Sequence, residues 1–239
     1  MSADRHELCI VVPVYNESGA IGAVLSKWSA MLDSHGIDWQ LHAYNDGSRD
    51  NSSEILSAVA KRSNGRLVAH DKTNSGHGPT ILLGYRENAE HCDWLFQMDS
   101  DDEMGPEGFP QLWEQRATHD FLLGKRDGRA QPFPRKIVSL VSRLSVRVFY
   151  GKSVWDVNSP YRLMRAEKIK PWLAKIPEKT FAPNVILSGL AGRKKLRLFE
   201  APVQHGDRTT GEVSIKKWKL FKAAAKSFWQ TIAFSFAKV

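Results

Sequence analysis

Residues 8–19 read Leu8-Cys9-Ile10-Val11-Val12-Pro13-Val14-Tyr15-Asn16-Glu17-Ser18-Gly19, a short apolar and largely β-branched run ended by a polar, turn-forming one. An apolar run without alternation suits a strand covered on both faces, and the polar run marks its exit into a turn and a helix start. Just downstream, Ile21, Val24, Leu25, Trp28 and Leu32 recur at three- and four-residue spacing and give one apolar helical face. The strand–helix unit then repeats. Trp39 to Tyr44 reads as a second strand, Asn45-Asp46-Gly47-Ser48 as a turn, and Ile55, Leu56 and Val59 as the inner face of a second helix. Arg66 to His70 reads as a third strand, Asn74 to Pro79 as a glycine-rich loop, Ile81 to Ala89 as a helix and Asp93 to Met98 as a fourth strand. Such alternation predicts an α/β fold with a mostly parallel central sheet and helices on both faces. Ligands of these sheets bind beyond the carboxyl ends of the strands, where all the loops of interest lie.

After Phe121 to Gly124 the pattern is less regular and more basic. Ile137 to Tyr150, with apolar residues at 137, 140, 141, 144, 148 and 149, reads as an amphipathic helix with Arg143 and Arg147 on its outer side. With no repeat, low-complexity tract or Pro/Ser-rich linker, the expectation is a single domain over 1–215 followed by a basic amphipathic tail helix over 216–239.

The chain has 239 residues, 42% hydrophobic and 25% charged, which excludes disorder, collagen-like repeats and a disulfide-stapled miniprotein. The net charge of +8 is unevenly spread. Residues 1–124 carry a net of −10, 125–175 a net of +10 and 216–239 a net of +6. Cys9 and Cys92 lack metal-ligand spacing, and Cys9 reads as a small buried hydrophobe, as in a reducing compartment. No signal-peptide pattern opens the chain and no apolar run reaches the roughly 18 residues that cross a bilayer. The expected location is cytoplasmic, peripheral at a membrane.

Asp99-Ser100-Asp101-Asp102-Glu103 is the sharpest chemical feature. Two carboxylates one residue apart beyond a strand end can turn to one point, where their oxygens suit a hard divalent cation, Mg2+ or Mn2+. The plain alternative is a solvated acidic loop capping the next helix. Asp46-Gly47-Ser48-Arg49-Asp50 can place a carboxylate on a base or ribose, or be an Asp-Gly turn with Asp50 or Ser52 as a cap. Asn74-Ser75-Gly76-His77-Gly78 lets backbone approach a ligand, or is a flexible connection.

The ordered set is more telling than any member. Val11-Val12-Pro13-Val14-Tyr15-Asn16-Glu17, Asn45-Asp46-Gly47-Ser48-Arg49-Asp50, Asn74-Ser75-Gly76-His77-Gly78 and Asp99-Ser100-Asp101 with Gly105-Pro106-Glu107 resemble the family 2 inverting glycosyltransferases of the GT-A (Rossmann-like) fold. Gly124-Lys125-Arg126, Arg135 with Ser139, Asp156-Val157-Asn158-Ser159-Pro160-Tyr161-Arg162-Leu163, and His205 with Arg208-Thr209-Thr210-Gly211-Glu212-Val213-Ser214 extend the likeness toward the polyprenyl-phosphate, dolichol-phosphate mannose synthase-like branch. The likeness covers about residues 8–216.

The resemblance implies that Pro13, Tyr15, Glu17, Asp46 and Gly76 line the nucleotide pocket and that Asp99 and Asp101 meet metal and diphosphate. Glu103 stands where this branch often has a metal-reaching glutamine, and Arg126, Arg135 and Arg208 fall where basic residues handle donor diphosphate or acceptor phosphate. Two departures stand out: Asn45-Asp46 replaces a double aspartate, and Glu212-Val213 lengthens the usual Gly-x-Ser. The implied reaction is in-line displacement of a GDP- or UDP-linked hexose by a polyprenyl phosphate, already anionic at neutral pH. A sugar-hydroxyl acceptor would instead require a carboxylate base, Asp156 or Asp101, and Asp156 can equally be structural. A non-catalytic nucleotide-sugar or anionic-surface binding module is the alternative outside enzymes. Nucleic acid is the poorest partner, because the acidic half repels a phosphate backbone.

On a helical wheel the tail gathers Trp218, Phe221, Ala225, Phe228, Trp229, Ile232 and Phe236 within a stripe of about 100°, bordered by Lys219, Lys222 and Lys226. This suits an anionic membrane surface, or packing of the stripe on the domain. Leu220 and Phe234 lie off the stripe.

Overall fold

The opening apolar run is strand β1 (His6–Val14), buried at every position from Leu8 onward in the computed structural model. The structure describes residues 5–127, 133–151, 153–206 and 217–237, with backbone alone over 133–138 and 217–224. Burial on both faces follows from position: β1 lies inside a seven-stranded sheet. Its neighbours are β2 (Trp39–Asn45) and β4 (Cys92–Gln97), both parallel to it, and β3 (Leu67–Asp71) continues parallel beyond β2. Past β4 come β6 (Arg162–Arg165), β5 (Phe121–Asp127) and β7 (Leu198–Gln204), giving the order β3-β2-β1-β4-β6-β5-β7. Only β6 is antiparallel to its neighbours. The order reverses direction between β1 and β4, and the crevice beyond their carboxyl ends is where such sheets receive ligands.

Alternating side chains of β1 feed two cores. Leu8, Ile10, Val12 and Val14 pack with helices α1 (Ile21–Ser34), α2 (Ser52–Arg62) and α4 (Phe109–Glu114), while Cys9 and Val11 face α3 (His77–Asn88), α6 (Ala166–Leu173) and α7 (Pro183–Arg193). Trp28 of α1 anchors the first core, with its ring centroid 5.3 Å from Phe96, 5.8 Å from Phe109 and 5.7 Å from Tyr161. Cys9 is fully buried beside Cys92, and that thiol contact together with burial drives its pKa upward, so it is an inert core thiol. On the other side α3 lies close to the sheet at Gly84, where a Cβ would meet Val11 Cγ1 at 2.4 Å.

The glycine-rich segment is a loop only to Gly76: α3 begins at His77, four residues before the predicted start. Pro79 is admissible in the first helical turn because its missing N–H has no partner there. A larger correction concerns α5 (Phe133–Tyr150). Among its described side chains Ser145, Val146 and Tyr150 are buried, and the apolar residues Leu140, Val141, Leu144 and Val148 are exposed with Arg147. The tail forms α8 (Lys217–Ser235), held on α5 and α7. Among its described side chains Ser227, Thr231, Phe234 and Ser235 are buried, so the off-stripe Phe234 is an anchor in the core, while Trp229 and Phe236 of the stripe are exposed and Trp218 and Phe221 lie outside the described side chains. Among the described residues, no helix is long and apolar enough to cross a membrane.

The start of β5 carries a charge cluster outside the crevice. Asp120 accepts from Arg197 at 2.9 and 2.7 Å and lies 3.3 Å from Arg165. The Arg197 hydrogen bonds outweigh burial and hold its pKa at about 2. A depressed acid stabilises above its unfolded pKa, so this contribution is complete above pH ~4 and disappears as pH falls toward 2. Asp120→Asn is therefore expected to lower stability by about 1–2 kcal/mol at pH 7, with the gap to wild type closing near pH 2 in urea melts taken across pH.

Candidate functional site

The loops that leave β1 and β2 are laced together. Asn16, at φ 54°, accepts from the Arg49 N–H through Oδ1 at 2.8 Å, and its own N–H donates to Ser48 Oγ at 3.0 Å. Glu17 N–H donates to Ser52 Oγ at 2.9 Å and Ser18 N–H to Asp50 at 3.0 Å. Asp50 also receives the Ser52 N–H and hydroxyl; these hydrogen bonds prevail over burial and keep its pKa at about 2. Asp50 is thus a clamp between the two loops, a role beyond the turn cap expected of it. Pro13 and Glu17 are buried in this frame, and Tyr15 is partly exposed above it.

Asp46 is nearly inaccessible. Its carboxylate accepts the N–H groups of Ser75 and Gly76, both at 2.8 Å, and pairs with Lys72 Nζ. Burial alone would raise its pKa, but the Lys72 ammonium and the two N–H groups hold it below the usual carboxylate range. Lys72 also reaches the Thr73 carbonyl and Ser75 Oγ. The carboxylate therefore fixes the shape of the glycine-rich loop, whose Gly76 takes φ 94°. Asn45 explains the missing second aspartate: its amide donates to Asp71 at 2.6 Å and its carbonyl caps the Ser48 N–H. A carboxylate at position 45 would instead face that of Asp71.

The acidic run extends from β4. Asp99 accepts from Gln97 Nε2 at 3.3 Å, and His77 Nε2 stands 3.7 Å from the same oxygen. Gln97 is fully buried and its orientation is set from below, because Oε1 accepts Tyr85 O–H at 2.6 Å and Asn184 Nδ2 at 2.7 Å. With both acceptor sites taken, the amide presents N–H to Asp99. Asp101 Oδ1 accepts the Glu103 N–H at 3.2 Å, Asp102 sits at φ 58° and pairs with Lys27, and Glu103 lies 3.0 Å from His205 Nε2. The Gly206 N–H joins the Glu103 carbonyl at 2.8 Å, so the end of β7 is tied to the acidic loop.

Among the described residues no group of three or more His, Cys, Asp or Glu closes around a metal ion. The donor set still suits a hard cation: Mg2+ is usually held by one or two carboxylates together with substrate phosphates, and Asp99 and Asp101 supply such oxygens. Glu103, also expected at the metal, stands 3.0 Å from His205 Nε2.

On the opposite wall Arg126 and Asp156 form a bidentate pair, Nε to Oδ2 and Nη2 to Oδ1, both at 2.7 Å. Both side chains are largely buried. Burial would raise the Asp156 pKa, but Arg126 more than offsets it and lowers it. Such a carboxylate is a poor proton acceptor. Glu200 supports the loop by accepting the Trp155 N–H at 2.7 Å. The Arg135 side chain and all of Arg208, like Ser214 and Lys216, lie outside the described residues.

Sequence reasoning assigned no role to two groups. Gln97 closes the apolar run Trp94-Leu95-Phe96 of β4, and that polar break was the available signal. Arg162 has no accessible surface and donates to the carbonyls of Ser159 (2.9 and 2.7 Å), Asn184 (3.1 Å) and Val157 (3.3 Å). Burial lowers its pKa to about 10, so it remains a cation at neutral pH. It holds the 156–161 loop in shape.

Comparison with known proteins follows the same outline. The family model described as "Glycosyl transferase family 2" matches residues 9–171. The chain is 32% identical over 214 residues to an undecaprenyl-phosphate 4-deoxy-4-formamido-L-arabinose transferase of Edwardsiella ictaluri, covering 88% of this chain and 63% of that protein. To the transferase of the same name from Pseudomonas paraeruginosa it is 30% identical over 213 residues, covering 88% and 61%. The chain thus spans about three fifths of the length of these relatives. Among solved structures, glucosyl-3-phosphoglycerate synthase from Mycobacterium tuberculosis with phosphoglyceric acid superposes with TM-score 0.69 at 16% identity, covering 98% of this chain and 81% of that one. The same enzyme with Mn2+, uridine diphosphate and glucosyl-3-phosphoglycerate gives TM-score 0.68 at 17% identity, covering 98% and 81%. Mannosyl-3-phosphoglycerate synthase from Rubrobacter xylanophilus gives 0.68 at 11% identity, covering 95% and 73%. At these identities the structural likeness speaks for the fold, and it matches the mostly parallel α/β sheet described above.

Proposed function

The chain belongs to glycosyl transferase family 2, and we propose that it transfers a hexose from a nucleoside diphosphate sugar, GDP- or UDP-linked, to the phosphate of a polyprenyl phosphate. The observation that carries the choice of acceptor is the bidentate Arg126–Asp156 pair. A hydroxyl acceptor needs a strong carboxylate base. Asp156 is paired and its pKa is lowered, and Asp101 already accepts the Glu103 N–H. A phosphate acceptor is anionic and needs no base, which agrees with the names of the relatives acting on undecaprenyl phosphate.

In this reading the interlaced β1 and β2 loops, with Pro13, Tyr15 and Glu17, frame the donor nucleotide, and Asp46 sets the glycine-rich loop so that its backbone can approach it. Asp99 and Asp101 would hold Mg2+ or Mn2+, which supplies charge neutralisation to the departing diphosphate. The structural neighbour solved with Mn2+ and uridine diphosphate supports a divalent ion. Gln97 keeps the Asp99 carboxylate turned into the crevice. Arg126 faces the acceptor phosphate, joined by Arg135 and Arg208, and these cations offset the repulsion between two phosphorylated substrates. An acceptor phosphate oxygen attacks the anomeric carbon as the bond to the diphosphate breaks, inverting that centre. The enzyme works from the cytoplasmic face of the membrane as a peripheral protein, with 1–215 as the catalytic domain and the tail at the lipid surface.

The test is transfer from radiolabelled UDP- and GDP-sugars to undecaprenyl phosphate with Mg2+ or Mn2+. A lipid-linked product is expected, and its rate is expected to stay flat above pH ~6.5, falling only below the second phosphate pKa near 6. No product with any donor overturns the reading, and sugar transferred to a glycan hydroxyl in the absence of lipid phosphate would indicate a hydroxyl acceptor.

A further inference from the structure

The segment between α6 and α7 has no part in the proposed reaction, yet it touches both neighbours of Asp99. On one side it lies against α3. Gly78, in the first turn of that helix, packs so closely on the segment that a Cβ there would overlap the Phe181 carbonyl oxygen and lie 2.7 Å from that of Thr180. The residue before it, His77, places Nε2 3.7 Å from Asp99 Oδ1. On the other side the segment enters α7, where the buried Asn184 donates to Gln97 Oε1 at 2.7 Å, and Gln97 Nε2 stands 3.3 Å from the same Asp99 oxygen. Two arms that leave residues 180–184 therefore converge on one carboxylate oxygen.

A side chain of the tail helix holds this segment. Gln230 of α8 accepts the Phe181 N–H through Oε1 at 2.8 Å and donates through Nε2 to the Lys179 carbonyl at 3.2 Å. One amide thus closes a two-point clamp on the backbone of residues 179–181, satisfying a donor and an acceptor as a paired strand would. The helix is itself fixed at that level, because Tyr150 O–H donates to the carbonyl of the next residue, Thr231, at 2.8 Å. The start of the segment is secured separately. Arg86 of α3 donates to the carbonyls of Leu173, at 2.9 Å, and Ile176, and the Thr180 N–H donates to the Pro177 carbonyl at 3.0 Å. Opening the clamp would therefore loosen residues 179–182 and leave the rest of the segment in place.

We infer that Gln230 is a positioning residue for the donor site: by clamping residues 179–181 it sets the first turn of α3 and the Asn184–Gln97 pair, and through both the carboxylate of Asp99. The inference rests on the reading of Asp99 as a ligand of the donor's divalent ion, and it gives the tail helix a task within the crevice chemistry. Groups that orient a metal-holding carboxylate from behind typically change metal affinity or activity by about 10–100-fold when removed. Gln230 stands one step further back than His77 and Gln97, so a smaller effect of about five- to tenfold is expected from it.

Two measurements test the coupling on full-length wild type, Gln230→Leu, Gln230→Glu and Gly78→Ala. In the first, amide hydrogen exchange is followed without ligand. Gln230→Leu is expected to speed exchange over residues 76–81 at least about tenfold, with β1 and β4 exchanging as in wild type. Gly78→Ala pushes the segment off α3 directly and should do the same, although alanine by itself favours a helix. Gln230→Glu keeps an acceptor for the Phe181 N–H and should recover part of the protection. Unchanged exchange in Gln230→Leu overturns the inference. In the second, the melting temperature is followed against UDP and GDP with Mn2+. Gln230→Leu should need about five- to tenfold more nucleotide than wild type for the same upward shift, with its ligand-free melting temperature within about 2 °C of wild type. Equal affinity overturns the inference, and so does a collapse of the ligand-free melting temperature, because Gln230 then only supports the fold. A wild type that neither nucleotide shifts overturns the donor-site reading, whereas the coupling of α8 to α3 stands or falls on the exchange result.

Discussion

Asp101→Ala is expected to lower kcat/KM for sugar transfer about a thousandfold with little change in thermal stability. In the folded chain the Asp101 side chain caps the Glu103 N–H at 3.2 Å, a local hydrogen bond whose loss costs about 1 kcal/mol. In the proposed reaction it shares with Asp99 the task of holding the divalent ion against the departing diphosphate. Removing one preorganised electrostatic contact to developing charge typically costs 10²–10³ in rate, and an ion lost outright costs at least as much. The matching binding measurement is the melting temperature with UDP or GDP and Mn2+. Wild type should shift upward with the logarithm of one plus the ratio of ligand to its dissociation constant, and Asp101→Ala should lose the metal-dependent part of that shift. Full activity in this variant would remove the Asp99–Asp101 pair from the mechanism.

Arg162→Met is expected to have the largest effect on stability, upward of about 3 kcal/mol. The substitution takes both guanidinium donors from the buried Ser159 carbonyl and one each from the carbonyls of Asn184 and Val157, the last of which keeps the Ser188 hydroxyl, and each buried hydrogen bond lost costs about 1–3 kcal/mol. For a domain of this size that corresponds to a fall in melting temperature of about 10 °C. Arg162→Lys should recover only part of the loss, because three donors on one flexible ammonium cannot span the fork that a guanidinium fills. Thermal and urea melts of both variants check this, and a drop within a couple of degrees for Arg162→Met would show that the loop is held by other contacts. Activity should fall with stability, because the same loop carries Asp156 against Arg126.

The first four strands and the first two helices were legible in the sequence because each makes its own apolar pattern: a continuous run for a doubly covered strand, a three-and-four spacing for a helix on the sheet. The β6–α6–α7–β7 half was not. β6 is four residues, Arg-Leu-Met-Arg, with charges at both ends, and its place between β4 and β5 depends on pairing with residues some seventy and forty positions away. Of the site, the acidic run and the glycine-rich loop were visible as motifs. What each carboxylate does there was not, since Asp46, Asp50 and Asp156 acquire their roles from Lys72, Ser18 and Arg126, each distant in sequence.

By itself the sequence determined the α/β class, the order of the crevice loops and the family, because these reside in short-range pattern and in the succession of motifs along the chain. Tertiary structure alone decided which side of α5 faces outward and that Phe234 anchors α8. An amphipathic helix shows that it has an apolar face but cannot show what covers it. In this fold Val146 and Tyr150 fill the inner side of α5, leaving Leu140, Leu144 and Val148 outside. Burial of one stripe depends on the neighbours that the sheet brings to it, and those neighbours are set by pairings over long chain separations.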